Sequence, residues 1–271
     1  MYKKMNGKIG VFDSGIGGVT VLREIIKLLP NEEYIYYSDS KNLPYGDKSD
    51  LEIIKICENI VEILISQNCK IIVIACNTAS AKAVDYLRGK YKDIIFIAIE
   101  PAYKMVYDSK ESGETLVMAT KGTIESEKFH MLLEKYASEK VKTYLAPCDG
   151  LADKIEEGLE EEILENLKQN IQKYKGKVKN VVLGCTHYPL AIKQIKQILG
   201  DVKCFEGSKN IAIHLKDVLE GSNKNIKNDD MINNKYSKYT NVRFIDSLGL
   251  EIKEKRFFKI LEKEKENKNE K

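Results

Sequence analysis

Two hydrophobic patterns alternate along the chain. Unbroken apolar runs of four to six residues read as strands buried on both faces, the habit of a parallel sheet. Longer stretches with apolar positions every three or four residues read as amphipathic helices. The first kind predicts strands over residues 8–12, 34–38, 71–75, 94–99, 115–120, 141–145, 178–184, 202–205 and 242–245. Between them the second predicts helices over 19–29 (stopped by Pro30), 81–87, 151–158, 160–174, 190–199, 208–219 and 250–261, with another running to about 136. Ser49 and Glu52 match a capping box, which opens a helix to about 67 along the stripe Ile53, Ile56, Ile60, Leu64.

Regular strand–helix alternation predicts the α/β class with a doubly wound sheet. The alternation starts afresh after Pro101, and no long linker separates the two runs, so two halves in close contact are expected. Two strands end alike. Residues 71–75 run into Cys76-Asn77-Thr78, and residues 178–184 run into Cys185-Thr186-His187. A thiol at the carboxyl edge of a parallel sheet, beside a helix N-terminus, sits where open α/β folds bind ligands and where a thiolate is stabilised.

Composition narrows the class little further. With 43% hydrophobic and 31% charged residues in 271, the chain reads as a soluble globular protein, large enough for two modest cores. A net charge of +3 gives no argument for a nucleic-acid partner. No apolar run approaches a membrane span, and the N-terminus lacks a signal-peptide core. Six cysteines without C-x-x-C pairs suggest a reducing, cytoplasmic setting, with Cys57, Cys69, Cys148 and Cys204 as core or bystander thiols. The Asn- and Lys-rich stretch 221–239 reads as an exposed insertion, and the charged end, 263–271, as a disordered tail.

A cysteine from each of two facing halves suits inversion at carbon. The centre must lose a proton from one face and gain one on the other, which calls for two acid/base groups on opposite sides. A cysteine with an ordinary pKa of about 8.5, tuned by its surroundings, can serve as thiol or thiolate. Asp13 is placed to orient or exchange a proton with Cys76, and His187 to do the same for Cys185. Ser14, Asn77, Thr78 and Thr186 are suited to holding a carboxylate and an ammonium. Each residue alone has a plainer reading: a strand-end cysteine as a buried hydrophobe, Asp13 as a helix cap, His187 as a satisfied histidine, Glu156 as a solvated helix residue. The loop Ser14-Gly15-Ile16-Gly17-Gly18 offers backbone N–H groups to an anion but carries no full nucleotide fingerprint. A Cys76–Cys185 disulfide is disfavoured by the reducing setting, and zinc by the ligand spacing, so no metal is expected.

Phe12-Asp13-Ser14-Gly15-Ile16-Gly17-Gly18, Asn42-Leu43-Pro44-Tyr45-Gly46, Ala75-Cys76-Asn77-Thr78-Ala79-Ser80 and Gly184-Cys185-Thr186-His187-Tyr188-Pro189-Leu190 resemble, in order and spacing, the signature blocks of the bacterial glutamate racemases. The resemblance spans roughly residues 8–215. It implies two Rossmann-like or flavodoxin-like domains related by a pseudo-two-fold axis, with the active site in the cleft between them. By the same resemblance, residues 1–99 and 207–262 form a discontinuous first domain and residues 100–206 the second. The implied activity is cofactor-independent conversion of L-glutamate to D-glutamate for peptidoglycan. Cys76 and Cys185 would be the acid/base catalysts, Asp13 and His187 their partners, and Glu156 an assisting carboxylate. Asp13, Ser14, Pro44, Tyr45, Gly46, Asn77, Thr78, Thr120, Thr186 and His187 would bind substrate. The partner expected is glutamate, with neither nucleic acid nor membrane, and a homodimer is left open. Three rivals remain at this point. An aspartate racemase typically carries Glu where this chain has His187, a thiol hydrolase leaves Cys76 unexplained, and a binding protein without catalysis differs only in assay.

Overall fold

In a computed structural model, which describes residues 7–109, 113–136, 142–222, 239 and 241–262, the chain winds twice in the same way. The first run is β1 (Lys8–Asp13), α1 (Val19–Leu28), β2 (Tyr34–Ser38), α2 (Asp50–Ser66), β3 (Cys69–Ile74), α3 (Asn77–Lys90), β4 (Ile95–Ala98) and α4 (Tyr103–Ser109). The second is β5 (Glu114–Ala119), α5 (Lys121–Ile124), α6 (Glu127–Tyr136), β6 (Thr143–Pro147), α7 (Leu151–Glu157), α8 (Glu160–Ile171), β7 (Val178–Leu183), α9 (Ile192–Leu199) and β8 (Lys203–Phe205). The chain closes with α10 (Ser208–Ser222), β9 (Val242–Asp246) and α11 (Glu251–Glu262). The heart of the expected insertion, 223–238, and the expected tail, 263–271, lie outside the described residues, as does residue 141 of an expected strand.

Every strand pairing among the described residues is parallel. The sheets run in the orders β4-β3-β1-β2-β9 and β6-β5-β7-β8. In each, the first strand of the run is flanked by the second and third, and the fourth lies outside the third. This is the flavodoxin-like winding, and its switch points fall between β1 and β3 and between β5 and β7. The last strand, β9, pairs with β2 and so returns to the first sheet.

Helices cover both faces of the sheets, which explains the unbroken apolar runs. In β3, Ile71 and Val73 enter one core with residues of α1, α10 and α11, while Ile72 and Ile74 enter another with residues of α2 and α3. The capping box forms as expected, Ser49 accepting from the Glu52 N–H and Glu52 from the Ser49 N–H. One boundary differs in a way that matters. Helix α3 starts at Asn77, not Ala81, because Cys76 keeps an extended backbone and acts as its N-cap. Its first turn, Asn77-Thr78-Ala79-Ser80, shows no apolar stripe since all four residues are buried, and Thr78 bonds Thr120 and Thr123 of the second run. Among the described residues no helix is long and apolar enough to cross a membrane.

Candidate active site

Both switch points open on one pocket. Its wall includes Ser14, Pro44, Tyr45, Gly46, Cys76, Asn77 and Thr78 from the first run, and Thr120, Cys185 and Thr186 from the second. It holds roughly 490 Å³ of atom-free space, open mouth included. Cys76 and Cys185 occupy equivalent positions, each two residues beyond the third strand of its run, so the repeated winding presents one thiol from each half.

The two sulfurs have different company. Cys76 Sγ lies 3.9 Å from Ser14 Oγ, in hydrogen-bonding reach for sulfur, and the Ala79 N–H in the first turn of α3 favours its charged form. Burial nevertheless pushes its thiol well above the ordinary range, and the Asp13 carboxylate adds to the effect. Asp13 is wholly buried at the end of β1. Its Oδ2 accepts from the Gly18 N–H at 2.6 Å and from Thr186 Oγ1 at 3.2 Å, so it holds the residue before α1 and links the halves. Its Oδ1 has no hydrogen-bond partner among the described residues. Burial raises the pKa of Asp13, partly offset by the charge of His187.

Cys185 Sγ lies 3.8 Å from His187 Nδ1, and His187 Nε2 lies 2.8 Å from Glu156 Oε2. Burial disfavours charge on His187, but its hydrogen bonds to Cys185 and Glu156 outweigh that and hold its pKa well above the ordinary value. Burial would likewise raise Glu156, yet His187 and Lys253 pull it down to about 2. The pair is a buried imidazolium–carboxylate couple standing behind one thiol.

Of the expected substrate-binding residues, Asp13 and His187 do not line the pocket; with Glu156 they form a buried layer behind it. The glycine loop turns its N–H groups to the protein's own carboxylates, Asp13 and Glu156, and makes room for the buried layer. A Cβ on Gly15 would stand 2.6 Å from Glu156 Oε2, and one on Gly17 2.4 Å from His187 Nδ1. Gly15 and Gly17 carry no side chain, which lets this layer press against the loop. The Ile16 N–H is spent on Glu156 Oε2 at 2.9 Å.

Sequence reasoning missed several wall residues. Cys57 and Cys69 are buried in the core of the first run, but Cys148, read like them as a core or bystander thiol, is packed in the core of the second and also lines the pocket one residue past β6. Its place at a sheet's carboxyl edge was the available signal. Asp47, Asp149 and Asp153 also line the wall. Asn77 Oδ1 is buried with no partner among the described residues, an acceptor suited to an ammonium group.

A family model described as Asp/Glu/hydantoin racemase matches residues 9–211. The chain belongs to the Asp/Glu/hydantoin racemase family. The glutamate racemase of Clostridium novyi (strain NT) is 44% identical over 218 residues, covering 77% of this chain and 82% of the relative. The structure of glutamate racemase isoform RacE1 from Bacillus anthracis is similar with a TM-score of 0.79 at 32% identity, covering 95% of this chain and 94% of that one. That of glutamate racemase from Francisella tularensis, in complex with D-glutamate, has a TM-score of 0.75 at 30% identity and covers 94% and 93%. As a member of this racemase family the chain is an isomerase, and its relatives support glutamate racemase function.

Proposed function

We propose that the chain interconverts L- and D-glutamate by a two-base transfer between Cys76 and Cys185, with no cofactor. The carrying observation is the single pocket walled by one strand-end thiol from each half, each thiol backed by its own acid–base partner. For one enantiomer Cys185 removes the α-proton and Cys76 supplies one to the opposite face; for the other the roles reverse. Burial and Asp13 keep Cys76 protonated at rest, which readies it as the acid. His187, paired with Glu156, is within reach of Cys185 to balance charge as that sulfur gains or loses its proton.

The α-proton is a weak acid, so the developing carbanion needs preorganised donors and a dry site. Asn77, Thr78, Thr120 and Thr186 supply donors on the wall, and Ser14, Tyr45 and Gly46 complete the cradle. Glutamate as the substrate follows from the relatives, one of which was solved with D-glutamate. We assign the product to peptidoglycan synthesis in the cytoplasm. We also divide the chain into a first domain of β1 to β4 with α10, β9 and α11, and a second from α4 to β8, because β9 pairs with β2.

Incubation with L-glutamate in D2O tests the reading: α-deuterated D-glutamate should form without added cofactor. α-Proton exchange that survives both Cys76→Ala and Cys185→Ala would overturn it.

A further inference from the structure

Glu156 has a partner that arrives from far along the chain. Lys253, in the first turn of α11, places Nζ 2.6 Å from Glu156 Oε1, with the carboxylate side chain fully buried and the lysine side chain 16% exposed. The other oxygen, Oε2, takes His187 Nε2 and the Ile16 N–H. Helix α11 packs on the first sheet, where Phe257 meets Tyr36 and Phe244, whereas α7, which carries Glu156, packs on the second. Lys253 therefore bridges the two halves directly behind the pocket. Three residues on, Arg256 donates to the Ile155 carbonyl at 2.6 Å and lies against Gly158, just past the end of α7.

We propose that Lys253 is a positioning residue for racemisation, fixing Glu156 in the orientation that aims His187 at Cys185. The inference rests on the reading of His187 and Glu156 as the support of Cys185. Its physical basis is the carboxylate's own freedom. The terminal torsion of a glutamate is broad, so donors on Oε2 alone, from His187 and Ile16, hold its plane loosely. Donors on both oxygens do set it, and a buried carboxylate lacking one of them keeps an unmet desolvation cost. With Oε1 clamped by Lys253, Oε2 stays turned toward His187, and the ring stays turned toward Cys185. The remaining ionisable groups acting on His187 are Cys185 itself, Asp13 and Asp153. None of these fixes Glu156. Arg256 differs in kind, since it holds only a backbone carbonyl and serves as a tether.

The test compares Lys253→Met, Lys253→Arg and Arg256→Met with the wild-type protein. It measures kcat, KM and the primary deuterium isotope effect on α-deuterated L- and D-glutamate, with folding checked by circular dichroism. Lys253→Met should lower kcat roughly 10- to 100-fold, as expected for a displaced proton-transfer group, while KM moves by less than about threefold, the smaller effect expected of a group outside the substrate's contacts. Its isotope effects should change unequally in the two directions, because only the Cys185 side is disturbed. Lys253→Arg should recover most of the activity, and Arg256→Met should keep the wild-type isotope effects. Lys253→Gln, gentler on folding, carries the same expectation as Lys253→Met. Wild-type kinetics in Lys253→Met, or isotope effects that change equally in both directions, overturn the proposal alone. A wild-type protein that does not racemise glutamate overturns the functional reading and this proposal with it.

Discussion

Gly17 gives the most direct test of how tightly the layer behind the pocket is built. A methyl group there would sit 2.4 Å from His187 Nδ1 and 2.7 Å from its Cγ and Cε1, where ordinary contact begins near 3.4 Å. Ring and loop must then separate by about 1 Å, the difference between those contacts. The backbone offers no resistance, since Gly17 is not among the glycines with positive φ, so alanine probes space alone. His187 is buried on every side, and moving it lengthens either the 2.8 Å bond to Glu156 or the 3.8 Å contact with Cys185. Misplacing a proton-transfer group by 1 Å costs roughly 100-fold in rate, or about 2.7 kcal/mol of barrier. Overpacking adds about 1–3 kcal/mol of lost stability. Following L-glutamate to D-glutamate by circular dichroism, we expect Gly17→Ala to lose about 100-fold in kcat with a lowered Tm. Retention of half the wild-type kcat would refute the reasoning, because the ring would then have had room to move harmlessly.

Other outcomes follow from the same geometry. Asp13→Asn removes the negative charge that adds to burial in raising Cys76, so alkylation of the Cys76 peptide by iodoacetamide, read by mass spectrometry, should begin at lower pH; an unchanged or higher midpoint counts against the Asp13–Cys76 coupling. Glu156 is held near 2, below its ordinary 4.5, so its stabilisation is present above pH 4.5 and fades as pH falls toward 2. His187 is held above its ordinary 6.5, so its share is complete below pH 6.5 and is lost as pH rises through the folded value. Melting temperatures should thus fall more steeply below pH 4.5 in the wild type than in Glu156→Gln, and parallel slopes would contradict the ion pair. Gly89→Ala, exposed near the end of α3 with open space at its Cβ, should gain up to about 1 kcal/mol of stability and leave kcat unchanged; a drop in Tm would show that the position is not free.

The features legible in the sequence are those written in short-range pattern. Strands buried on both faces show as the run Ile71-Ile72-Val73-Ile74, the start of α2 as Ser49 and Glu52, and the two thiols as residues at strand ends. Parallel strands joined by helices bring their carboxyl ends to one edge, so Cys76, Cys185 and Asp13 are placed near ligand-binding switch points before any tertiary contact is considered. Short-range pattern also misleads. The first turn of α3 shows no stripe because both halves bury it, and the glycines of the 14–18 loop mimic an anion cradle while making room for Glu156 and His187. Glu156 itself reads as one more acid on a charged helix. Only the packing of one half on the other decides that it is buried, that His187 and Lys253 close on its two oxygens, and that Cys148 faces the pocket. Periodicity records which face of an element is apolar. It holds no record of which distant element covers that face, so a contact such as Lys253 with Glu156, 97 residues apart, exists only once the last helix has folded back across the cleft.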